Sequence, residues 1–235
     1  MSTTRASRPI PIALTALVAF FSALVALAIS NGPAHAHDNQ PHATASAVHS
    51  PQATITRSEL ALRRDMRQLW EDHIVWTRLA IISLTTGTPD TEATVGRLLQ
   101  NQTDIGNAVK PFYGKAAGNE LTRQLRQHIL IAADLIAAAK AGDQAKLADA
   151  TARWARNADT IAGVLHSVNP RHFKLAVLKK EMRMHLKLTT EEAVARLQAD
   201  WAADVAAYDK IHRHLLHMSD YLSDGLVKQF PKRFR

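Results

Sequence analysis

The sequence predicts an all-α protein, an antiparallel bundle of five or six helices. Apolar residues recur three and four positions apart through most of the chain after residue 55, the period of one face of a helix. Turn and capping residues separate these amphipathic segments, and no segment alternates apolar and polar residues over the length of a strand. With 46% hydrophobic residues in a chain of 235, the composition suffices for a buried core.

The first predicted helix spans 56–84 and carries the strongest apolar stripe. One face holds, at steps of three and four, Leu62, Met66, Leu69, His73, Trp76 and Ala80. The imidazole of His73 therefore faces inward among apolar side chains. Because an unpaired buried polar group costs about 1–3 kcal/mol, we expect His73 to have a partner.

The next breaks follow from glycine, proline and capping residues. Gly87 is placed to end the first helix, with Thr88 as the N-cap of the second. Pro111 predicts that this second helix ends near residue 109. A third helix is expected over 119–140, and Gly142 and Asp143 then end it and cap a fourth helix that reaches about residue 167.

Two further helices complete the predicted bundle. Asn169 followed by Pro170 predicts the start of a short fifth helix that ends near His185. The pattern Thr189-Thr190-Glu191-Glu192 matches a capping box, with Thr189 as N-cap and Glu192 three positions on. It predicts that the last helix runs from there to about residue 228.

The N-terminal 54 residues are predicted to lie outside the bundle. Residues 1–36 match a signal peptide, with basic Arg5 and Arg8, an apolar run and an Ala34-His35-Ala36 cleavage pattern. The alternative is an uncleaved N-terminal membrane anchor, since the apolar run approaches the length of a membrane span. Residues 37–54 are polar and aperiodic and predict a disordered lead, which leaves 55–231 as the helical domain.

Charge and composition limit the partners. The formal net charge is +8, and there is no cysteine, which excludes disulfides, thiolate metal sites and a cysteine nucleophile. An exported basic protein meets anionic polymers and lipid headgroups, so these are expected partners. Nucleic acid is not expected, because no basic patch is interleaved with aromatic residues.

Polar residues recur inside the predicted helices. His73 and His128 are 55 residues apart, and Asn101 and Asn157 are 56 apart, which is consistent with a duplicated helical hairpin. His185 follows His128 by 57 residues, and a weaker third copy would place His217-Met218-Ser219-Asp220 over 101–104. Because the sequence identity between the copies is low, the duplication stays a prediction.

These inward residues form the candidate site. In helical bundles, metal sites are built from histidine and carboxylate side chains on several facing helices. Imidazole with carboxylate suits Zn, Cu, Ni or Fe. The predicted metal ligands are His73, His128, His185 and Asp204. Asn101, Asn157 and Arg78 are the predicted cofactor-binding residues, the two asparagines as orienting partners. The alternative interpretation is a purely structural hydrogen-bond network that fixes helix register.

Several of these residues also carry a family resemblance. It rests on the steps Leu69-Trp70-x-x-His73-x-x-Trp76-Thr77-Arg78, Arg97-Leu98-Leu99-x-Asn101, His128-x-x-Ile131-Ala132, Asn157-Ala158-Asp159 and Gln229-Phe230-Pro231. The pattern, over about residues 58–231, resembles a family of small secreted bacterial helical-bundle proteins whose biochemical role is not established. The resemblance implies an exported helical domain and no particular chemistry.

Function is therefore expected to be binding rather than catalysis. The chain has no Gly-x-Ser-x-Gly nucleophile motif and no glycine-rich phosphate loop. The leading hypothesis is an exported, non-enzymatic protein whose polar-lined core binds a divalent transition metal or a small ligand. The alternative is an envelope protein that binds anionic polymers or lipids through its basic surface.

Overall fold

The computed structural model describes residues 55–235, which form five α-helices and a short C-terminal 3₁₀ helix. The helices are α1 (Arg57–Thr86), α2 (Thr91–Ala141), α3 (Gln144–Val168), α4 (Leu175–Leu197) and α5 (Trp201–Gln229), followed by Pro231–Phe234. The predicted all-α bundle is confirmed. The predicted signal peptide (1–36) and disordered lead (37–54) lie outside the described residues.

Helix α2 is bent back on itself at Gly114. This glycine has φ 85° and ψ 169°, so it interrupts the helix and divides it into arms spanning 91–113 and 115–141. A Cβ on Gly106 would lie 2.8 Å from the carbonyl oxygen of Gly118, so the two arms cross in close contact. The predicted second and third helices are these two arms, but Pro111 lies inside the first and the chain reverses at Gly114 instead.

The helix ends at Gly87 and Gly142 are where the sequence predicts them. Both glycines adopt left-handed conformations, with φ of 75° and 70°, and end α1 and α2. Asp143 caps α3, because its side chain accepts a hydrogen bond from the backbone N–H of Lys146. The prediction of Thr88 as the N-cap of α2 is wrong: its hydroxyl donates to Asp90, which holds that position.

The segment between α3 and α4 is a turn and not the predicted helix start. Asn169 ends α3, accepts a hydrogen bond from the backbone N–H of His172 and donates to the carbonyl oxygen of Gly225 at 3.0 Å. The turn buries Phe173 against Gly225. Helix α4 begins only at Leu175.

The predicted capping box is wrong. Helix α4 continues through Thr189 to Leu197, and the hydroxyl of Thr189 donates back to the carbonyl oxygen of His185 within the helix. The last helix begins at Trp201, where Asp200 caps it by accepting from the N–H of Ala203. The predicted last helix therefore combined the end of α4 with all of α5.

The helices form a closed ring around one core. Successive helices pack on each other, and α5 returns to pack against α1. Cross-bundle ion pairs fix this closure: Arg67 on α1 pairs with Asp220 on α5, and Arg78 pairs with Asp204. The main core takes side chains from all five helices, and three buried histidines lie within it.

Candidate functional site

His73, His128 and His185 meet in the centre of the bundle. They come from α1, the second arm of α2 and α4, and each is no more than 5% exposed. The ring centroid of His185 lies 6.0 Å from that of His73 and 5.7 Å from that of His128. The structure thus brings together the three histidines that the sequence predicts to face inward.

The same backbone contact recurs beside each of these histidines. In every case, the carbonyl oxygen four residues before the histidine accepts a hydrogen bond from a side chain on the following helical segment. The three pairs are Asn101 Nδ2 to Leu69 O (3.0 Å), Asn157 Nδ2 to Gln124 O (3.1 Å) and His214 Nε2 to Glu181 O (3.1 Å). The bundle therefore contains three similar helical hairpins, and His214 takes the position that the sequence pattern assigns to His217.

An internal cavity borders the three rings. Its volume is about 40 Å³, and the histidines share its wall with fifteen other side chains, none of them charged. A cavity of roughly 10–15 Å³ holds one water, whereas an engineered cavity that binds benzene measures about 150 Å³. The cavity therefore accommodates an ion or a few waters, and an organic ligand would require it to expand.

Two fully buried imidazole nitrogens in the cluster, His128 Nε2 and His185 Nδ1, have no hydrogen-bond partner among the described residues. The tautomer of His128 follows from its other nitrogen: Nδ1 lies 2.7 Å from the amide oxygen of Asn157 and donates to it. In the neutral ring, Nε2 is then the unprotonated nitrogen with a free lone pair. Asn157 is in turn held by the backbone and side-chain oxygens of Gln124.

His73 is held by a residue that sequence reasoning missed. Gln102, fully buried, has its amide nitrogen 3.1 Å from His73 Nδ1 and donates to the side-chain oxygen of Asn101 at 3.0 Å. A hydrogen bond with the Asn101 side chain also acts on His73 and opposes the effect of burial on its pKa. The position of Gln102, four residues after the buried Leu98 on one helical face, was the available signal.

Burial keeps all three rings neutral. Burial lowers the pKa of His128 to about 4, and burial together with the neighbouring His128 ring lowers that of His73 to about 4. The pKa of His185 is also lowered well below its usual value, first by burial and then by the two other imidazoles. At neutral pH the cluster presents nitrogen lone pairs without competition from protons.

Arg78 and Asp204 belong to a polar network that adjoins the histidine cluster through Glu192. The Arg78 guanidinium donates to both oxygens of Asp204, at 2.7 and 3.0 Å, and to Glu192 at 2.7 Å. Arg196 donates to Asp204 at 3.1 Å. Although burial acts in the opposite direction, the two arginines lower the pKa of the Asp204 carboxyl. Asp204 lines neither cavity beside the histidines, so the structure separates it from the predicted ligand set.

Glu192 provides the carboxyl group beside the histidines. Its local sequence had instead predicted that it lies in the first turn of a helix. It is 1% exposed and lines a cavity of about 10 Å³ with His73 and His185. Burial raises its pKa to about 7, against the opposing effect of Arg78. Its spacing of seven residues from His185, two turns along one face, could have revealed this placement.

The nitrogen and oxygen donors alone do not complete a metal shell. Within residues 55–235, no group of three or more His, Asp or Glu side chains is arranged to hold a metal ion. None of the helices in that range is long and apolar enough to cross a membrane. Comparisons of the chain with protein-family models, curated proteins and solved structures find no match.

Proposed function

We propose that this protein is an exported, non-enzymatic binding protein that holds a transition-metal ion at the histidine cluster in its core. The observation that carries the proposal is the pair of free imidazole nitrogens, His128 Nε2 and His185 Nδ1, in rings that border an internal cavity. Buried polar atoms without partners cost about 1–3 kcal/mol each, and a bound ion would remove that cost.

The size of the cavity favours an ion over an organic ligand. A volume of about 40 Å³ is far below the roughly 150 Å³ that takes benzene, whereas it exceeds the space of one water. The small-ligand alternative therefore requires the apolar wall to open. A single metal ion is small enough for the existing space.

The hydrogen bonds of His128 also support a metal site. A metal-binding histidine commonly donates its other ring N–H to a protein oxygen, which fixes the tautomer and the direction of the lone pair. His128 has this arrangement through Asn157, which Gln124 positions. The neutral charge state of the rings suits the same role, because bound metal and proton compete for one nitrogen.

The test is elemental mass spectrometry on untagged protein, purified without chelator, before and after incubation with Zn(II), Cu(II), Ni(II) and Fe(II). We expect close to one metal per chain, lost in the double variant His128→Phe/His185→Phe. The matched control is His217→Phe, the same change at an exposed histidine, which should retain the metal. Folded protein that takes up no metal would make the cluster a structural network.

A second candidate function rests on the surface. An open groove of about 600 Å³ on α2 is lined by Lys110, Arg123 and Arg126 with hydroxyl and amide side chains, and no carboxylate lines it, although Glu120 pairs with Arg123 beside it. This chemistry suits an anionic envelope polymer. Cosedimentation with such a polymer should weaken as salt rises and weaken further in Lys110→Gln/Arg126→Gln, while His128→Phe/His185→Phe should leave it unchanged.

A further inference from the structure

The cavity beside the histidines is also lined by thioethers. Met66, Met182 and Met218 border it, and each is buried. Met184, the other methionine within residues 55–235, is 39% exposed and lies outside the cavity wall. Three sulfur atoms and three imidazoles therefore share one internal space, a combination that the sequence pattern did not indicate.

Met182 is the thioether closest along its helix to the histidine layer. It precedes His185 by three residues on α4, so the two side chains lie on one face about 5–6 Å apart at Cβ. Met66 precedes His73 by seven residues, which is two turns or about 10 Å along α1. Of these two, Met182 is the sulfur donor within reach of the rings.

The donors at this site are uncharged, and the thioethers among them are soft. The wall of the main cavity contains no carboxylate, and the chain has no cysteine. Zinc in structural sites takes four nitrogen, thiolate or carboxylate ligands, and the histidines do not supply that number. Thioether sulfur selects Cu(I), and a single positive charge is less costly than a double charge to place among neutral donors.

We infer that the ion in this cavity is monovalent copper, held by imidazole nitrogens of His128 and His185 and by the thioether of Met182. This inference rests on the proposed function and specifies its ligand. Asn157 positions the His128 ring. Met66 and Met218 complete an apolar thioether wall that keeps water from the ion.

The experiment is an anaerobic titration of the untagged, metal-free protein with Cu(I) against a chromogenic Cu(I) chelator, combined with copper X-ray absorption. We expect one Cu(I) per chain and both nitrogen and sulfur neighbours. Met182→Leu conserves volume and keeps the fold, so any loss of binding reports on the sulfur. It should weaken Cu(I) binding by about tenfold or more and remove the sulfur signal, because even outer-shell changes cost roughly 10–100-fold.

Met184→Leu is the matched control and should bind Cu(I) like the unmodified protein, because Met184 is outside the cavity. Histidine-dependent binding of Cu(I) with no sulfur neighbour and no effect of Met182→Leu would overturn the thioether inference and leave the proposed function standing. Histidine-dependent binding of Zn(II) or Ni(II) by a protein that does not bind Cu(I) would likewise overturn the Cu(I) inference and leave the proposed function standing. Absence of any metal would overturn both.

Discussion

His185 is the member of the cluster for which burial and hydrogen bonding conflict most. Its ring is 5% exposed, Nδ1 has no partner among the described residues, and burial lowers its pKa. A residue selected for stability alone would be apolar at this position, since the cavity wall around it is apolar. A buried histidine without a hydrogen-bond partner at this position therefore favours a role in ligand binding.

We predict that His185→Phe raises the free energy of unfolding of the metal-free protein by about 1 kcal/mol, because it removes a buried polar atom that has no partner. Phenylalanine also has a flat ring but is one heavy atom larger than histidine, and the adjoining cavity of about 40 Å³ has room for that atom. Urea denaturation at neutral pH measures the change. The same variant should lose metal, which separates the ligand role from a role in stability.

His128→Phe provides the contrast to this change. It removes the N–H donor from the side-chain oxygen of Asn157, and that buried oxygen then lacks the hydrogen bond. We expect the free energy of unfolding to fall by about 1–3 kcal/mol. If His185→Phe destabilised the protein as much as His128→Phe, an ordered water or another group would have to satisfy Nδ1 of His185, and that nitrogen would not be free to bind a metal.

At the scale of single elements, the reversal of α2 depends on two glycines. A Cβ on Gly106 would lie 2.8 Å from the carbonyl oxygen of Gly118, and one on Gly118 would lie 2.7 Å from that of Gly106. Backbone atoms cannot move aside as a flexible side chain can. The arms of α2 therefore cross this closely only because both positions lack a side chain.

We predict that Gly106→Ala lowers the free energy of unfolding by about 1–3 kcal/mol through overpacking of this crossing. Gly96→Ala is the matched control: Gly96 is exposed and helical, and a Cβ added there would meet no atom within 4 Å. That change should raise stability by up to about 1 kcal/mol, from helix propensity. Thermal denaturation of both variants gives the comparison, and equal effects would exclude a close crossing.

The continuity of α4 shows how a contact between elements overrides a local signal. Thr189-Thr190-Glu191-Glu192 has the composition of a helix start, yet Glu192 is drawn inward to Arg78 on α1 at 2.7 Å. The hydroxyl of Thr189 bonds to His185 within the helix and so cannot act as a cap. The local sequence specifies only a preference for capping. The contact that overrides this preference is made with Arg78, 114 residues away in the chain, so the local pattern could not reveal it.

At the scale of the whole molecule, the buried histidines make stability depend on pH. In the unfolded chain a histidine has a pKa near 6.5, whereas burial lowers that of His73 and His128 to about 4 in the folded protein. Between those values the unfolded chain binds protons that the folded protein does not. Each such histidine therefore lowers the free energy of unfolding by about 1.4 kcal/mol per pH unit as the pH falls.

Glu192 acts in the opposite direction. Its raised pKa, about 7, means that the folded protein binds this proton more readily than the unfolded chain, so stability from this group increases as pH falls from about 7 to 4.5. The three histidines each have a lowered pKa, so their combined effect on stability exceeds the opposite effect of Glu192. We predict that the metal-free protein loses stability steadily from about pH 6.5 to about pH 4, measured by urea denaturation across that range.

The control for this prediction is His185→Phe, which removes one of the three groups and should make the pH dependence shallower by about one proton. His217→Phe, at an exposed position, should leave it unchanged. A stability profile that is flat between these pH values in the unmodified protein would mean that the rings titrate normally and are therefore accessible to water.

Local sequence patterns specify the fold class and which polar residues turn inward. Helical period and glycine-based helix ends are local properties, so α1, the end of α2 at Gly142 and the start of α3 at Asp143 could be predicted. The same period placed His73, His128, His185 and Asn157 on buried faces, and each is buried.

Which of these inward-facing residues contact each other depends on how the helices pack. Periodicity specifies which face of a helix is buried. It does not specify which helix packs against that face or at what level along the axis, because these depend on contacts between residues far apart in the chain. Hence Asp204 was grouped with the histidines but lies with Arg78 and Arg196, while Gln102 and Glu192 were missed. The thioether wall of the cavity likewise exists only because separate helices bring Met66, Met182 and Met218 to one space.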